Sequence, residues 1–302
     1  MQTFLGLPEV HLGDVASGQI VIVGAAHATP YVPGKPSHSE DAPSAIRAAS
    51  AKFSDWINHH DFDTGSKLLG GGSGFVDAGN LGCSPDDAEN NRVKIEVAIR
   101  HILAAGAVPM VIGGDDSVPI PVLGAYSNEK PIWILQIDAH IDWRDERFGE
   151  PLGWSSTMRR ASEMGWVEGI VQAGIRGVGS ALGDDVAFAE AWGAHIVTAR
   201  AIHRSGIAAA LNKIPQDARV FVTLDCDALD PSVMPGVMAQ VPGGLTYWHI
   251  VEIFEGLQQR NTIVGFDIVE LAPQRDIAGI SALTAGRIIC VAGCAIRKSM
   301  MR

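Results

Sequence analysis

Basic runs are scarce in this chain of 302 residues, which carries 23 Lys plus Arg against 34 Asp plus Glu and a formal charge of −11 at pH 7. No basic stretch exceeds the two residues of Arg159–Arg160. No nucleic-acid partner is therefore expected, because neutralising phosphates takes clustered Lys and Arg. The amino-terminal MQTFLGLPEV has neither the basic segment nor the apolar stretch of a secretory signal, and no uninterrupted apolar run is long enough to span a bilayer. A cytoplasmic protein without a membrane partner is expected. Cys83, Cys226, Cys290 and Cys294 are too few and too irregularly spaced for a disulfide framework or a CxxC zinc site, so free or buried thiols are expected. The Gly-rich piece Gly70–Gly74 lacks a following GK[ST] and a clear preceding strand, which excludes a phosphate loop and leaves a flexible loop near a pocket mouth.

What is present is enough apolar residue, 47% against 19% charged, to bury a sizeable core. Val- and Ile-rich runs bounded by Gly, Pro or polar residues read as strands at 19–24, 108–112, 133–138, 169–174, 195–198, 220–225 and 263–268. Helical patterns fill the gaps. The clearest starts at Ser84, with Pro85 at the first helical position and Asp87 completing a capping box, and runs to Ala105 before Gly106. Strand and helix alternating throughout predict an α/β protein, a three-layer α/β/α sandwich around a mostly parallel sheet. With no internal repeat, low-complexity tract or linker, residues 1–302 are expected to form one domain.

An acidic protein that gathers carboxylates in one pocket could attract cations, either metal ions or a guanidinium-type substrate. The segment PIWILQIDAHID runs from a buried strand into Asp138, His140 and Asp142, and strand side chains alternate faces, so all three could face one pocket if the chain stays extended. RVFVTLDCDALDP ends in Asp225 and Asp227 at the same spacing, turning Cys226 away. Burying so many like charges is too costly without compensation. In open α/β sheets the functional crevice lies beyond the carboxyl ends of the strands, so ligands to bound cations are favoured over solvated loop caps. A third element, VPMVIGGDDSVPI, places Asp115, Asp116 and Ser117 after a Gly113–Gly114 turn. Asp116 could add a ligand, whereas Asp115 and Ser117 could equally cap the next helix.

In this order GGDDS, DAHID, TLDCDALDP and GGLT, spread between Val108 and Pro273, resemble the successive signatures of the ureohydrolase family of arginases, agmatinases and guanidinobutyrases. Asp41–Arg47 resembles the family's AIR stretch more loosely. The resemblance implies an arginase-like sheet of about eight strands and a binuclear centre of two divalent ions, Mn(II), or Ni(II) in some relatives. Asp138 and Asp225 would bridge, Asp142 and Asp116 would complete one shell, and His140 and Asp227 the other. A metal-bridging hydroxide would attack the guanidino carbon, and the adduct would collapse to urea and an amine. Asp142 would orient the hydroxide, and Glu270 in DIVELAP would pair with the guanidinium. The resemblance further implies a homotrimer or hexamer.

Two departures stand out. Most relatives read GGDHS, with a histidine ligand, where this chain has Asp116, and the oxygen-rich set that results favours Mn(II) without excluding nickel. Many relatives carry a His in a motif similar to HGTPFRR, aligned here with Trp154-Ser155-Ser156-Thr157-Met158-Arg159-Arg160. Trp154 cannot transfer protons, so His27, His38 or water must serve instead. Trp154 is expected to stack on a flat cationic substrate. Trp133 and Trp143 read as core or pocket wall, Asp230 as a turn residue before Pro231, His101 and His203 as structural or solvated, and Arg144 as either a counter-charge or a surface group.

The predicted activity is C–N hydrolysis of a guanidino or related amidine compound: agmatine, guanidinobutyrate, guanidine or a biguanide, with a formimino substrate less favoured. The loops PYVPGKPSHSEDAP and Gly70–Gly79 are expected to shape specificity. The alternative is a non-catalytic subunit supporting a homologous active partner, motivated by Asp116 and Trp154. A phosphatase or deacetylase-like metal hydrolase fits the motif order less well.

Overall fold

The computed structural model describes residues 2–179 and 181–302. In chain order these form β1 (Ile20–Ala25), α1 (Ala42–Ser50), a small hairpin of β2 (His60–Asp61) and β3 (Ser66–Lys67), β4 (Phe75–Asn80), α2 (Ala88–Ala104) and β5 (Val108–Gly113). Next come α3 (Pro119–Gly124), β6 (Ile132–Ile137), α4 (Thr157–Ser162), β7 (Val167–Ile175), α5 (Gly183–Trp192) and β8 (His195–Thr198). The last part holds α6 (Ala199–Ser205), α7 (Ala208–Leu211), β9 (Arg219–Asp225), α8 (Tyr247–Arg260), β10 (Thr262–Val269) and α9 (Ile280–Met300). Eight strands make one parallel sheet in the order β4-β1-β5-β10-β9-β6-β7-β8.

Period-two alternation divides the core into two layers. Ile20 and Ile22 of β1, Leu135 and Ile137 of β6 and Val220, Val222 and Leu224 of β9 pack with residues of α1, α8 and α9. Their neighbours Val21, Val23, Ile134 and Phe221 pack with residues of α2, α3 and α4. Each fully buried Ile, Leu, Val or Phe contributes about 1.5–3 kcal/mol of transfer free energy. The three-layer arrangement read from the sequence is thus observed.

Strand order positions the site. From β1 the chain moves outward to β4 and returns to β5, and from β6 it moves outward the other way to β7 and β8, leaving β9 and β10 to fill the gap between β5 and β6. The ends of β5, β10, β9 and β6 therefore meet where the winding reverses, the place a parallel sheet opens a crevice.

Three expectations need correction. β4 is absent from the sequence reading because Phe75–Asn80 carries Asp, Gly and Asn, an edge composition without a Val/Ile run. Gly70–Gly72 does not border the pocket: it lies before β4, at the amino-terminal edge of the sheet, where Gly70 meets Arg297 of α9 and Gly72 meets Ile57 and Leu7. No residue of Gly70–Gly79 lines the carboxylate cavity or the chamber beside it. Helix α2 begins at Ala88, with the Asp87 carboxylate accepting Asn90 N at 3.2 Å, because Asp87 has a non-helical φ of −136° and ψ of 68° that separates the Ser84 turn from the helix.

Helix α9 has the length and mean hydropathy, 1.5, that could cross a membrane. That apolar stretch is interrupted by Arg287 and is 78% buried within the protein.

Candidate metal centre

Four strand ends deliver the functional side chains. After β5, Gly114 runs against β1's exit so closely that a Cβ would sit 2.0 Å from Ala26 O, so only glycine fits. Asp115 turns back on Ser117, whose N and Oγ lie 3.1 and 2.5 Å from its Oδ1. Ser117 Oγ also accepts Thr29 N at 2.9 Å, so these two residues brace the β5 loop and neither is the N-cap of α3, which is Val118. Asp116 enters the crevice.

Extended structure stops at Ile137, so alternation along a strand does not place Asp138, His140 and Asp142 as the sequence argument assumed. The chain instead folds over itself: Asp138 Oδ1 accepts His140 N at 2.6 Å, and Asp142 takes a left-handed φ of +49°. That conformation costs about 1–3 kcal/mol for a non-glycine residue, offset where Asp142 O accepts Met158 N and Arg159 N of α4 at 3.0 and 3.1 Å. Asp225 and Asp227 likewise converge through a 3-10 turn at Cys226–Ala228, with Asp227 N donating to Asp225 Oδ1 at 2.7 Å. Past β10, Glu270 has φ +65° and donates its N–H to Gly114 O at 2.8 Å.

The result is a cavity of about 310 Å³ lined by Asp116, His140, Asp142, Trp154, Asp225, Asp227 and Glu270, together with His38 and Arg147. Donor atoms of Asp116, Asp138 and Asp142 lie within 4.8 Å of one another, as do those of Asp138, His140 and Asp227. Asp138 belongs to both trios, whereas Asp225 lines the cavity outside them. His140 Nδ1 is 3.1 Å from Asp227 Oδ2.

Electrostatics argue that such a bowl is built for cations. Burial, then repulsion from neighbouring carboxylates, pushes Asp116, Asp142 and Asp225 well above the ordinary range, and Asp227 up to about 6. Burial lowers the basicity of His140, yet hydrogen bonds to Asp138 and Asp227 outweigh it and carry the imidazole to about 12. Asp116 Oδ2 is buried without a hydrogen-bond partner among the described residues. An orphaned carboxylate oxygen on Asp116 beside four other aspartates and one imidazole fits hard divalent ions.

A relay of amides that the sequence reading missed supports this floor. Gln136 Nε2 donates to Asp138 at 2.7 Å and to Asp142 at 2.8 Å. Gln136 Oε1 accepts from Gln172 Nε2 at 2.5 Å, and Gln172 Oε1 accepts from Trp143 Nε1 at 3.0 Å. The signal was a polar residue inside each of two apolar strands, paired across β6 and β7.

The remaining predicted residues separate cleanly. His38 Nε2 lies 2.5 Å from Glu270 Oε2, while His27 is buried and faces Glu40 at 3.4 Å outside the cavity lining. Glu270 Oε1 accepts Asp116 N at 2.9 Å. Trp154 borders the cavity, packed on Tyr31 at 4.1 Å and edge-on to His38 at 5.8 Å. Trp143 is core, and Trp133 packs over Gly169. Arg144 does not line the cavity. Asp230 holds a turn, with Ser232 foremost among the donors that draw its carboxyl down to about 2. His203 is occupied by Gly244 O at 2.9 Å, and His101 is exposed on α2 with Nδ1 3.0 Å from Val97 O. The cysteines are free thiols.

The model of the arginase family matches residues 18–294. The chain belongs to the arginase family. It is 34% identical over 264 residues to an agmatinase of Chromobacterium violaceum, covering 84% of this chain and 77% of that one. It is 30% identical over 229 residues to a human guanidino acid hydrolase, covering 74% of this chain and 64% of the relative, slightly under two thirds of its length. The fold superposes on proclavaminate amidino hydrolase from Streptomyces clavuligerus with a TM-score of 0.86 at 24% identity, covering 99% and 98% of the two chains. The parallel eight-stranded sheet expected from the sequence is thus the arginase fold.

Proposed function

We propose that this arginase-family chain is a metal-dependent amidinohydrolase that cleaves a C–N bond of a guanidino or related amidine compound, releasing urea or a urea analogue and an amine. The observation that carries the reading is the pair of ligand trios sharing Asp138 on the floor of a cavity whose wall holds Glu270. Asp116, Asp142 and Asp138 would hold one divalent ion and Asp138, His140 and Asp227 the other, with Asp225 on the cavity lining as a further carboxylate donor. The oxygen-rich set favours Mn(II) over Ni(II). Bound there, the ions would offset the buried negative charge and supply deprotonated water at neutral pH.

The chain's own residues do the rest. Asp142, held by its left-handed backbone, orients the attacking water. Glu270 presents a carboxylate to the planar guanidinium, and Trp154 offers its face to the same cation, a contact worth about 0.5–2 kcal/mol. Amine departure requires a proton. With tryptophan at position 154, His38 is the imidazole in reach, and its Nε2, hydrogen-bonded to Glu270, holds that proton for the leaving nitrogen. By family resemblance the working unit is a homotrimer or hexamer, which mass measurement in solution would test.

The decisive test is metal content together with urea release, on protein loaded separately with Mn(II) and Ni(II) and offered agmatine, guanidinobutyrate, guanidine and a biguanide. Two bound ions with turnover of one compound support the reading. Near-zero metal with no urea from any of them overturns it in favour of a silent subunit.

A further inference from the structure

Beyond the metal floor the cavity does not end. A second chamber of about 570 Å³ adjoins the first and shares His38, Trp154 and Met238 with it. Its walls come from the loop after β1, through Tyr31, Lys35 and Ser37, and from the loop after β10, through Gln274 and Arg275. The two loops are tied together: Gln274 Nε2 donates to His38 O at 2.8 Å. The β1 loop is itself anchored where Gly34 N donates to Pro85 O at 3.0 Å.

Charge differs between the two chambers. The inner one holds the aspartates and Glu270. Lys35 and Arg275 line the outer chamber and Arg147 lines the inner cavity, and none of the three forms an ion pair among the described residues. Arg147 is held in place by stacking, its guanidinium carbon 5.6 Å from the Tyr31 ring and 5.0 Å from Phe148. The one carboxylate in the outer wall, Glu40, faces His27 at 3.4 Å. A substrate with its guanidinium inward places its other end near Lys35 and Arg275, with Glu40 the one carboxylate in the outer wall.

We infer that the outer chamber is a carboxylate-binding subsite formed by Lys35 and Arg275, with Arg147 of the inner cavity beside it against Tyr31, and that it selects ω-guanidino acids over guanidino amines. The inference rests on the hydrolase reading above, which fixes the orientation of the guanidinium. Guanidinium forks recognise carboxylates bidentately, and a cationic tail would be repelled by the same three groups. Lys35 and Arg275 are exposed, so each charge is partly screened, and the three together are expected to yield about tenfold discrimination.

The probes are 4-guanidinobutanoate and agmatine, which match in length and differ in the sign of the tail. Affinity for each is measured by calorimetry on the metal-loaded full chain, and urea release is followed separately. Tighter binding of 4-guanidinobutanoate, lost or reversed in the double variant Lys35→Glu with Arg275→Glu, supports the subsite. Both substitutions lie on exposed loop positions, and Arg147→Gln provides an independent probe that should weaken the acid alone. Equal or tighter binding of agmatine, or unchanged discrimination in the variants, overturns it. Binding preference without urea from either compound would keep the subsite and sink the hydrolase reading, so the two failures are distinguishable.

Discussion

Trp143 dictates which way Gln172 faces. The indole nitrogen lies 3.0 Å from Gln172 Oε1, and because an indole N–H can only donate, that end of the amide must be oxygen. Gln172 Nε2 then faces Gln136 Oε1 and Ile141 O, which turns both N–H groups of Gln136 toward Asp138 and Asp142. A donor-only side chain in the core thus sets the polarity of a fully satisfied network. Asp138 and Asp142 each keep one oxygen on Gln136, which fixes how the two carboxylates face the cavity.

From this follows a prediction about metal affinity. Gln136→Leu removes the donors and leaves Asp138, Asp142 and Gln172 short of partners, so affinity for the divalent ion should fall about 10- to 100-fold. Trp143→Phe should give part of that loss by freeing Gln172 to flip. Chelator-competition titration measures both. A drop in thermal stability with unchanged metal affinity would mean the relay only fills the core.

His38 leads to a pH prediction. Burial lowers its basicity, but the Glu270 hydrogen bond and charge outweigh that and raise it above the usual imidazole value. A proton donor must be protonated to act, so on the alkaline side the rate should fall as pH rises through this raised pKa. His38→Gln should lower kcat about 10²- to 10⁴-fold with metal content retained, and the alkaline limb of the profile should vanish. A variant that keeps the wild-type limb assigns it to another group.

Much of this was legible in the sequence because strand ends and Asp-rich motifs coincide. The seven strands read from apolar runs all exist, with bounds within two residues of those observed. Asp116, Asp138, His140, Asp142, Asp225, Asp227, Trp154 and Glu270 were all named and all converge. The reason they converge was not legible. Alternation along extended chain gave the right faces for a wrong cause, since a left-handed Asp142 and a 3-10 turn at Cys226 do the steering. β4 escaped because an edge strand needs no Val/Ile run, and Asp77 in it is explained only by a partner distant in sequence.

That partner is Arg47 of α1. Its Nε and Nη2 both lie 2.8 Å from Asp77 oxygens, in a pair almost wholly buried, and Asp77 also accepts Phe4 N at 2.7 Å and Gly79 N at 2.8 Å. The salt bridge fastens helix, edge strand and amino-terminal segment together. Arg47→Met, which leaves Asp77 buried and uncompensated, should cost about 3–5 kcal/mol in urea unfolding. Pairing it with Asp77→Leu should recover part of that loss, because both charges are then gone. No recovery in the double variant would place the cost in lost packing around the Arg47 stem.

Asp267 offers a test of how burial acts on a carboxylate when it outweighs the hydrogen bonds from Thr223 and Leu224. It is sealed in β10 beneath the site, and burial pushes its carboxyl up to about 8 from an ordinary 3.8. The folded protein therefore binds a proton that the unfolded chain releases near pH 4. The sign follows: the contribution to stability is full below about pH 4 and declines as pH rises toward 8, at about 1.4 kcal/mol per pH unit. Asp267→Asn imitates the neutral acid at every pH. Comparing the two proteins by urea unfolding between pH 5 and 9 cancels the slope common to both. The variant should gain steadily on the wild type with rising pH and level off above 8. A constant difference across that range would mean that Asp267 is ionised throughout, held so by a cation or donor close by.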